Sequence, residues 1–211
     1  MPSPVPLLAA WLLAAACASC AAPGGPASPQ GAHEPHGWAV HDRALTLYGG
    51  RYVDSSLPEE ILLFKPLEER DSHLLAAALS HVFARPAETN QWEVEGQVAK
   101  HTGEQDHWEF NLLALWRWKA FPWNEHLRTT LAIGDGLSLV SEVPAIEEES
   151  HPDTGSRRLL NYLLIEATFA PPSAKNWAFV FRIHHRSGIM GLFGGVDGGS
   201  NVLTGGLKFL F

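Results

Sequence analysis

The chain has 211 residues, of which 45% are hydrophobic, and a formal net charge of -8, from 23 acidic side chains against 15 Lys and Arg. That acidic balance argues against a nucleic-acid partner. Both cysteines, Cys17 and Cys20, lie near the amino terminus, so the body of the chain holds no disulfide and no cysteine-ligated metal.

Residues 1–21 read as a secretory signal peptide. Leu7-Leu8-Ala9-Ala10-Trp11-Leu12-Leu13 forms its apolar core, small residues follow, and the stretch is short for a spanning helix. Its first residues carry no Lys or Arg, which is atypical of such signals. Ala14-Ala15-Ala16-Cys17 leaves a second reading open, lipoprotein cleavage with Cys17 acylated. Plain cleavage is preferred, because Ala fits the first of those positions less well than Leu. Residues 22–37, rich in Pro, Gly and Ala, read as a linker.

Residues 38–211 form one domain of eight strand-like segments, near 38–53, 73–85, 92–102, 107–119, 127–142, 156–170, 176–188 and 200–211. Val, Leu, Phe, Trp and Thr recur within them, and Gly, Pro, Asn and Asp cluster between them. In the fourth, Trp108, Phe110, Leu112, Ala114, Trp116 and Trp118 share one face. Glu109, Asn111, Arg117 and Lys119 share the other with Leu113 and Leu115. The third sets Trp92, Val94, Gly96 and Val98 against Glu93, Glu95, Gln97 and His101. The first two segments have no clear phase.

The pattern predicts an all-β fold, an eight-stranded antiparallel outer-membrane β-barrel. A water-soluble lipid-binding barrel also alternates, but two features favour the membrane. Trp stands at both ends of the apolar stripe, as in interfacial girdles, and the opposite face carries charges of both signs that can pair in a narrow lumen. Connections 54–72, 143–155 and 189–199 are long, whereas 85–91, 121–126 and 171–176 are shorter, the asymmetry of external loops and periplasmic turns.

His185 and Ser187 stand two apart on segment seven, on the face of Trp177, Phe179, Phe181 and Ile183. Counted from Trp177, Ser187 lies roughly 24 Å higher at about 3.3 Å per residue and a tilt near 45°. That height is the outer-leaflet boundary. A histidine beside a serine on an oily face is a candidate base and nucleophile. Asp197 is the candidate acid that orients His185. Gly188 is a candidate oxyanion donor through its N–H, and Asn161, polar among Leu159, Leu163 and Ile165, a candidate orienting residue. Arg182, His184 and Arg186 take the opposite parity and are expected to pair in the lumen with acids such as Glu166, Glu93 or Glu95. Glu147-Glu148-Glu149 reads as a solvated acidic loop, and His33 and His36 in the linker need no metal.

The stretch from Phe181 through His185-Arg186-Ser187-Gly188 and Asp197-Gly198-Gly199-Ser200-Asn201 to Phe211 resembles the end of PagL-type lipid A 3-O-deacylases. The resemblance covers residues 181–211; before them only strand count and pattern agree. It implies an eight-stranded outer-membrane barrel that removes an acyl chain from lipid A, with His185 as base and Ser187 as nucleophile. It also implies that Phe211 is read by the barrel-assembly machinery. Two positions depart from the family. Gly198, Gly199 and Ser200 stand near its Glu, so Asp197 is a substitute offered on proximity, and Gly188 follows Ser187 where the family often has Asn.

The resulting expectation is an outer-membrane serine esterase acting on lipid A in lipopolysaccharide, facing the outer leaflet and needing no metal or cofactor. The alternative is a non-catalytic small barrel with a structural or adhesion role.

Overall fold

Residues 41–54 and 68–211 are described by the computed structural model. The signal peptide, the linker with its two histidines, Cys17 and Cys20 lie outside the described residues. The strands are β1 (Arg43–Asp54), β2 (Glu68–Ala87), β3 (Asn90–Gly103), β4 (His107–Trp118), β5 (Arg128–Val140), β6 (Leu159–Ala170), β7 (Trp177–Ser187) and β8 (Gly199–Leu210). Each pairs antiparallel with the next, and β1 pairs with β8, Leu45 opposite Phe209, so the sheet closes into a barrel without an edge. The fold is the eight-stranded antiparallel barrel that the alternation predicts. Six residues between β5 and β6 form a helix, α1 (Ala145–Ser150).

The two faces differ as the parity requires. Outward positions carry exposed apolar groups, among them Leu75, Phe110, Leu112, Ile133, Phe179 and Phe181. A continuous exposed apolar band of this kind is built for lipid. Aromatic rings gather at the end with the shorter turns: Trp118, Phe121 and Trp123 lie in succession at centroid distances of 4.6 and 5.1 Å, and Trp177 meets Phe179 edge-on at 5.3 Å. Trp108 marks the opposite end, 48% exposed.

The lumen is filled, not hollow. Toward the short-turn end Arg117 bridges Glu93 at 2.5 Å and Glu166 at 2.7 Å, Arg182 bridges Glu95 at 2.8 Å and Glu166 at 2.5 Å, and Lys208 reaches Glu166 at 3.0 Å. Three carboxylates thus face three cations, and the pairing expected for Arg182 is present. A small cavity opens at this end among Gln91, Glu93, Arg117, Lys119 and Lys208. The sector of β1 and β2 is different. Tyr48, Tyr52, Leu74, Ala76 and Ala78 point inward and pack with Ile146 of α1, so both faces of these strands are apolar. That is why their sequences show no phase.

At the other end, α1 caps the lumen. Glu147, expected in a solvated loop, is only 2% exposed. It accepts hydrogen bonds from Arg186, Ser156 and Ser200. The acidic run is therefore split: one carboxylate is a buried anchor of the cap, and Glu149 meets Arg70 on the surface at 2.9 Å. Arg186 accordingly pairs with Glu147, an acid of the loop and not of the wall.

Candidate active site on the barrel wall

Antiparallel pairing fixes what stands beside His185 and Ser187. On β6, Leu163 faces His185 and Asn161 faces Ser187. On β8, Asn201 faces His185 and Gly199 faces Ser187. The four polar residues share the outward parity of Phe179 and Phe181, so the site is a patch of wall and not a pocket.

His185 Nδ1 lies 2.7 Å from Asn201 Oδ1. Because an amide oxygen only accepts, Nδ1 carries the hydrogen and Nε2 is left with its lone pair, the state a general base needs. Ser187 stands half-buried one outward position further along, and no described hydrogen bond engages its hydroxyl. Residues two apart on a strand have Cα atoms about 6.6 Å apart, a span an imidazole side chain and a serine can close when substrate binds.

Asp197, the expected acid, does not hold the ring. It is exposed in the loop after β7, and its N–H donates to Thr154 Oγ1 at 3.2 Å. The reason is register. Ser187 pairs with Gly199, so the residue opposite His185 is Asn201, and Asp197 lies beyond the last pair in the hairpin loop. Around the position where the resemblance places a Glu, Gly198 and Gly199 have no side chain and Ser200 turns inward to Glu147 at 2.7 Å. Asn201 is the next outward group.

Gly188 does not supply a free oxyanion donor: its N–H donates to Gly198 O at 2.9 Å. The next two residues, Ile189 and Met190, have φ of 45° and 49°. Left-handed backbone is costly for non-glycine residues, a β-branched Ile above all, and no described hydrogen bond engages either N–H. The strained turn therefore presents two unengaged backbone donors directly after Ser187 and Gly188.

Asn161 is present at the site, in an acceptor role. Its Nδ2 donates to Asp135 Oδ1 at 2.9 Å and to Gly136 O at 3.0 Å, which uses both amide hydrogens.

A second cluster lies inside the barrel, where His101, His107 and Glu109 bring donor atoms within 4.8 Å of one another. Glu109 accepts from His101 at 2.8 Å, His184 at 3.1 Å and Ser138 at 2.7 Å. The His101 and His107 rings stack 4.3 Å apart at 13°, so they do not converge on one point as metal ligands do. This is a hydrogen-bonded filling of the lumen, extended by Tyr162 Oη to His184 Nδ1 at 2.9 Å.

Among solved structures the chain is similar to the outer membrane enzyme PagL, at 12% identity and a TM-score of 0.54, covering 80% of this chain and 99% of that one. It is also similar to Neisserial surface protein A, at 10% identity and a TM-score of 0.47, covering 80% and 96%. The N-terminal β-barrel domain of Pseudomonas aeruginosa OprF gives 12% identity and a TM-score of 0.45, covering 81% and 98%. No protein-family model and no curated protein sequence matches the chain. At such identities the likeness to PagL establishes a shared fold, the small eight-stranded barrel of outer-membrane proteins.

Proposed function

We propose that this chain is an outer-membrane serine esterase that removes an ester-linked acyl chain from lipid A or another outer-leaflet lipid. The observation that carries the reading is the 2.7 Å bond from His185 to Asn201 beside Ser187, on a wall otherwise surfaced with exposed apolar side chains. With an even strand number both chain ends lie on the periplasmic side, and the long loops and Ser187 face outward. Substrate then arrives laterally from the leaflet, which explains why the site is not a cavity.

In this reading Ser187 Oγ attacks the ester carbonyl while its proton passes to His185 Nε2. The new Oγ–C bond gives a tetrahedral oxyanion, for which the N–H groups of Ile189 and Met190 are the available donors. The ester C–O bond then breaks, and the leaving alcohol takes the proton from the imidazolium. Water hydrolyses the acyl-enzyme with His185 again as base, releasing the fatty acid and restoring Ser187. Asn201 holds the ring in the competent tautomer, the part an amide plays in Cys-His-Asn sites.

A serine-directed fluorophosphonate, added to the folded protein in lipid vesicles, tests the assignment. The reading expects an adduct on Ser187 by peptide mapping, none in Ser187→Ala, and labelling of His185→Ala slower by about a hundredfold or more. Wild-type protein that stays unlabelled at Ser187 would contradict it and leave the non-catalytic barrel.

A further inference from the structure

On β5 the outward positions run Leu131, Ile133, Asp135, Leu137, Leu139, and the four apolar members are 42, 48, 47 and 45% exposed. Asp135 interrupts this lipid-facing stripe near its middle, and its side chain is exposed as well. Ionisable groups at membrane depth are costly and are rarely without a task. Its height on the wall is defined by register: Asp135 pairs with Leu163, and Leu163 with His185.

Asp135 accepts from Asn161 Nδ2 at 2.9 Å, and Gly136 O takes the second amide hydrogen at 3.0 Å. Both acceptors belong to β5, on one side of β6. The reverse amide orientation would set Oδ1 against two acceptors, so the bonds fix which end faces β5. The carbonyl oxygen of Asn161 takes part in neither of these bonds, and on β7 the register partner of Asn161 is Ser187. Asn161 is 6% exposed, so this oxygen sits in a confined place. Between β5 and β7 the wall thus offers hydrogen-bond acceptors and no spare amide donor.

We infer that Asp135 is a positioning residue of the site, and that with Asn161 it forms an acceptor subsite for a hydroxyl or amide N–H next to the scissile ester. The inference rests on the esterase reading above. It specifies the substrate class: lipid esters that carry a hydrogen-bond donor beside the carbonyl. Simple diacyl glycerophospholipids present only acceptors there and leave the subsite unmatched.

The test uses full-length folded protein in detergent–lipid micelles and two pairs of lipid esters. One pair differs only in a 3-hydroxyl on the acyl chain; the other has an amide or an ester at the position neighbouring the scissile bond. Wild type is expected to favour the donor-bearing member of at least one pair by about tenfold in kcat/KM, the discrimination of one hydrogen bond. Asp135→Leu, which continues the apolar stripe and so leaves barrel assembly intact, is expected to bring that ratio close to one. Asp135→Asn keeps an acceptor for Asn161 Nδ2 and is expected to retain most of the preference. A ratio unchanged in Asp135→Leu, or no preference in wild type, overturns the subsite while hydrolysis itself stands. Failure of wild type to cleave any of the four esters, with Ser187→Ala indistinguishable from it, overturns the esterase reading and the subsite together.

Discussion

Replacing Asn201 by Leu removes the acceptor that holds His185 at nearly unchanged side-chain volume, and Asn201 lies on the outward face of β8 beside an apolar band. Its Oδ1 holds His185 Nδ1–H at 2.7 Å on the half-buried ring. A neutral bond of this kind contributes about 1 kcal/mol, which biases the tautomer roughly fivefold. In the transition state the same N–H belongs to a developing imidazolium, and the bond strengthens to about 1.5–3 kcal/mol. The bond is present in both states, so kcat falls by the difference, about 0.5–2 kcal/mol or roughly 2- to 30-fold, with little change in KM, since Asn201 contacts the base and not the lipid. Asn201→Asp is isosteric and supplies a charge-assisted partner about twice as strong, so its kcat is expected to exceed wild type. Fatty-acid release from lipid vesicles, measured as initial rates over a substrate series, separates kcat from KM. A folded Asn201→Leu barrel with kcat within twofold of wild type would refute the role given to Asn201.

Other outcomes follow from the same structure. Glu166 bridges Arg117, Arg182 and Lys208 in the lumen and is one of the three carboxylates that balance them; Glu166→Gln leaves one uncompensated buried cation and is expected to cost about 3–5 kcal/mol in urea unfolding followed by gel mobility, against an unchanged midpoint if the network is idle. In Gly188→Ala the new Cβ would lie 2.1 Å from Val196 O, so the 188–198 loop must shift. Faster proteolysis within that loop, with the barrel's melting unaltered, is expected. Acid should loosen the surface tie between Arg70 and Glu104. The Arg70 hydrogen bond, aided by the Asp71 N–H, holds the Glu104 carboxyl below its ordinary range. A group with a depressed folded pKa stabilises above its unfolded value, about 4.3, and that contribution fades as pH falls through the folded value. Protection at residues 103–106, the exchange rate relative to the intrinsic rate at each pH, should therefore be high at pH 6 and lower near pH 3, and equal protection at both would count against the tie.

What the sequence made legible depended on contrast between faces. β3 and β4 set Trp, Val and Leu against Glu, Gln, Asn and Arg, so period, phase and bounds could all be read, and Arg182 could be sent into the lumen to meet Glu95 and Glu166. β1 and β2 had no such contrast, because their inward Tyr48, Leu74, Ala76 and Ala78 pack under α1. His185 and Ser187 were found because polar groups stood out on an apolar face. Asn201 was missed for two physical reasons. A carboxylate is the usual partner of a catalytic histidine, although an amide oxygen can also orient an imidazole. The nearness of Asp197 in sequence also depends on a loop whose fold no periodicity encodes: once Ser187 pairs with Gly199, His185 must face Asn201. Asp135 was overlooked because β5 was not read face by face, where its place between Ile133 and Leu137 would have marked it. The engaged N–H of Gly188 and the burial of Glu147 depend on loop geometry, which no periodicity encodes.

Mass spectrometry of lipid A from cells expressing the full chain, with its Ser187→Ala variant as control and both shown folded in the outer membrane, bears most directly on the central claim. The account predicts loss of one ester-linked acyl mass with the wild-type chain alone. Identical spectra for the two, repeated with purified protein on several lipid A types, would contradict it and leave a barrel whose polar wall patch serves another purpose.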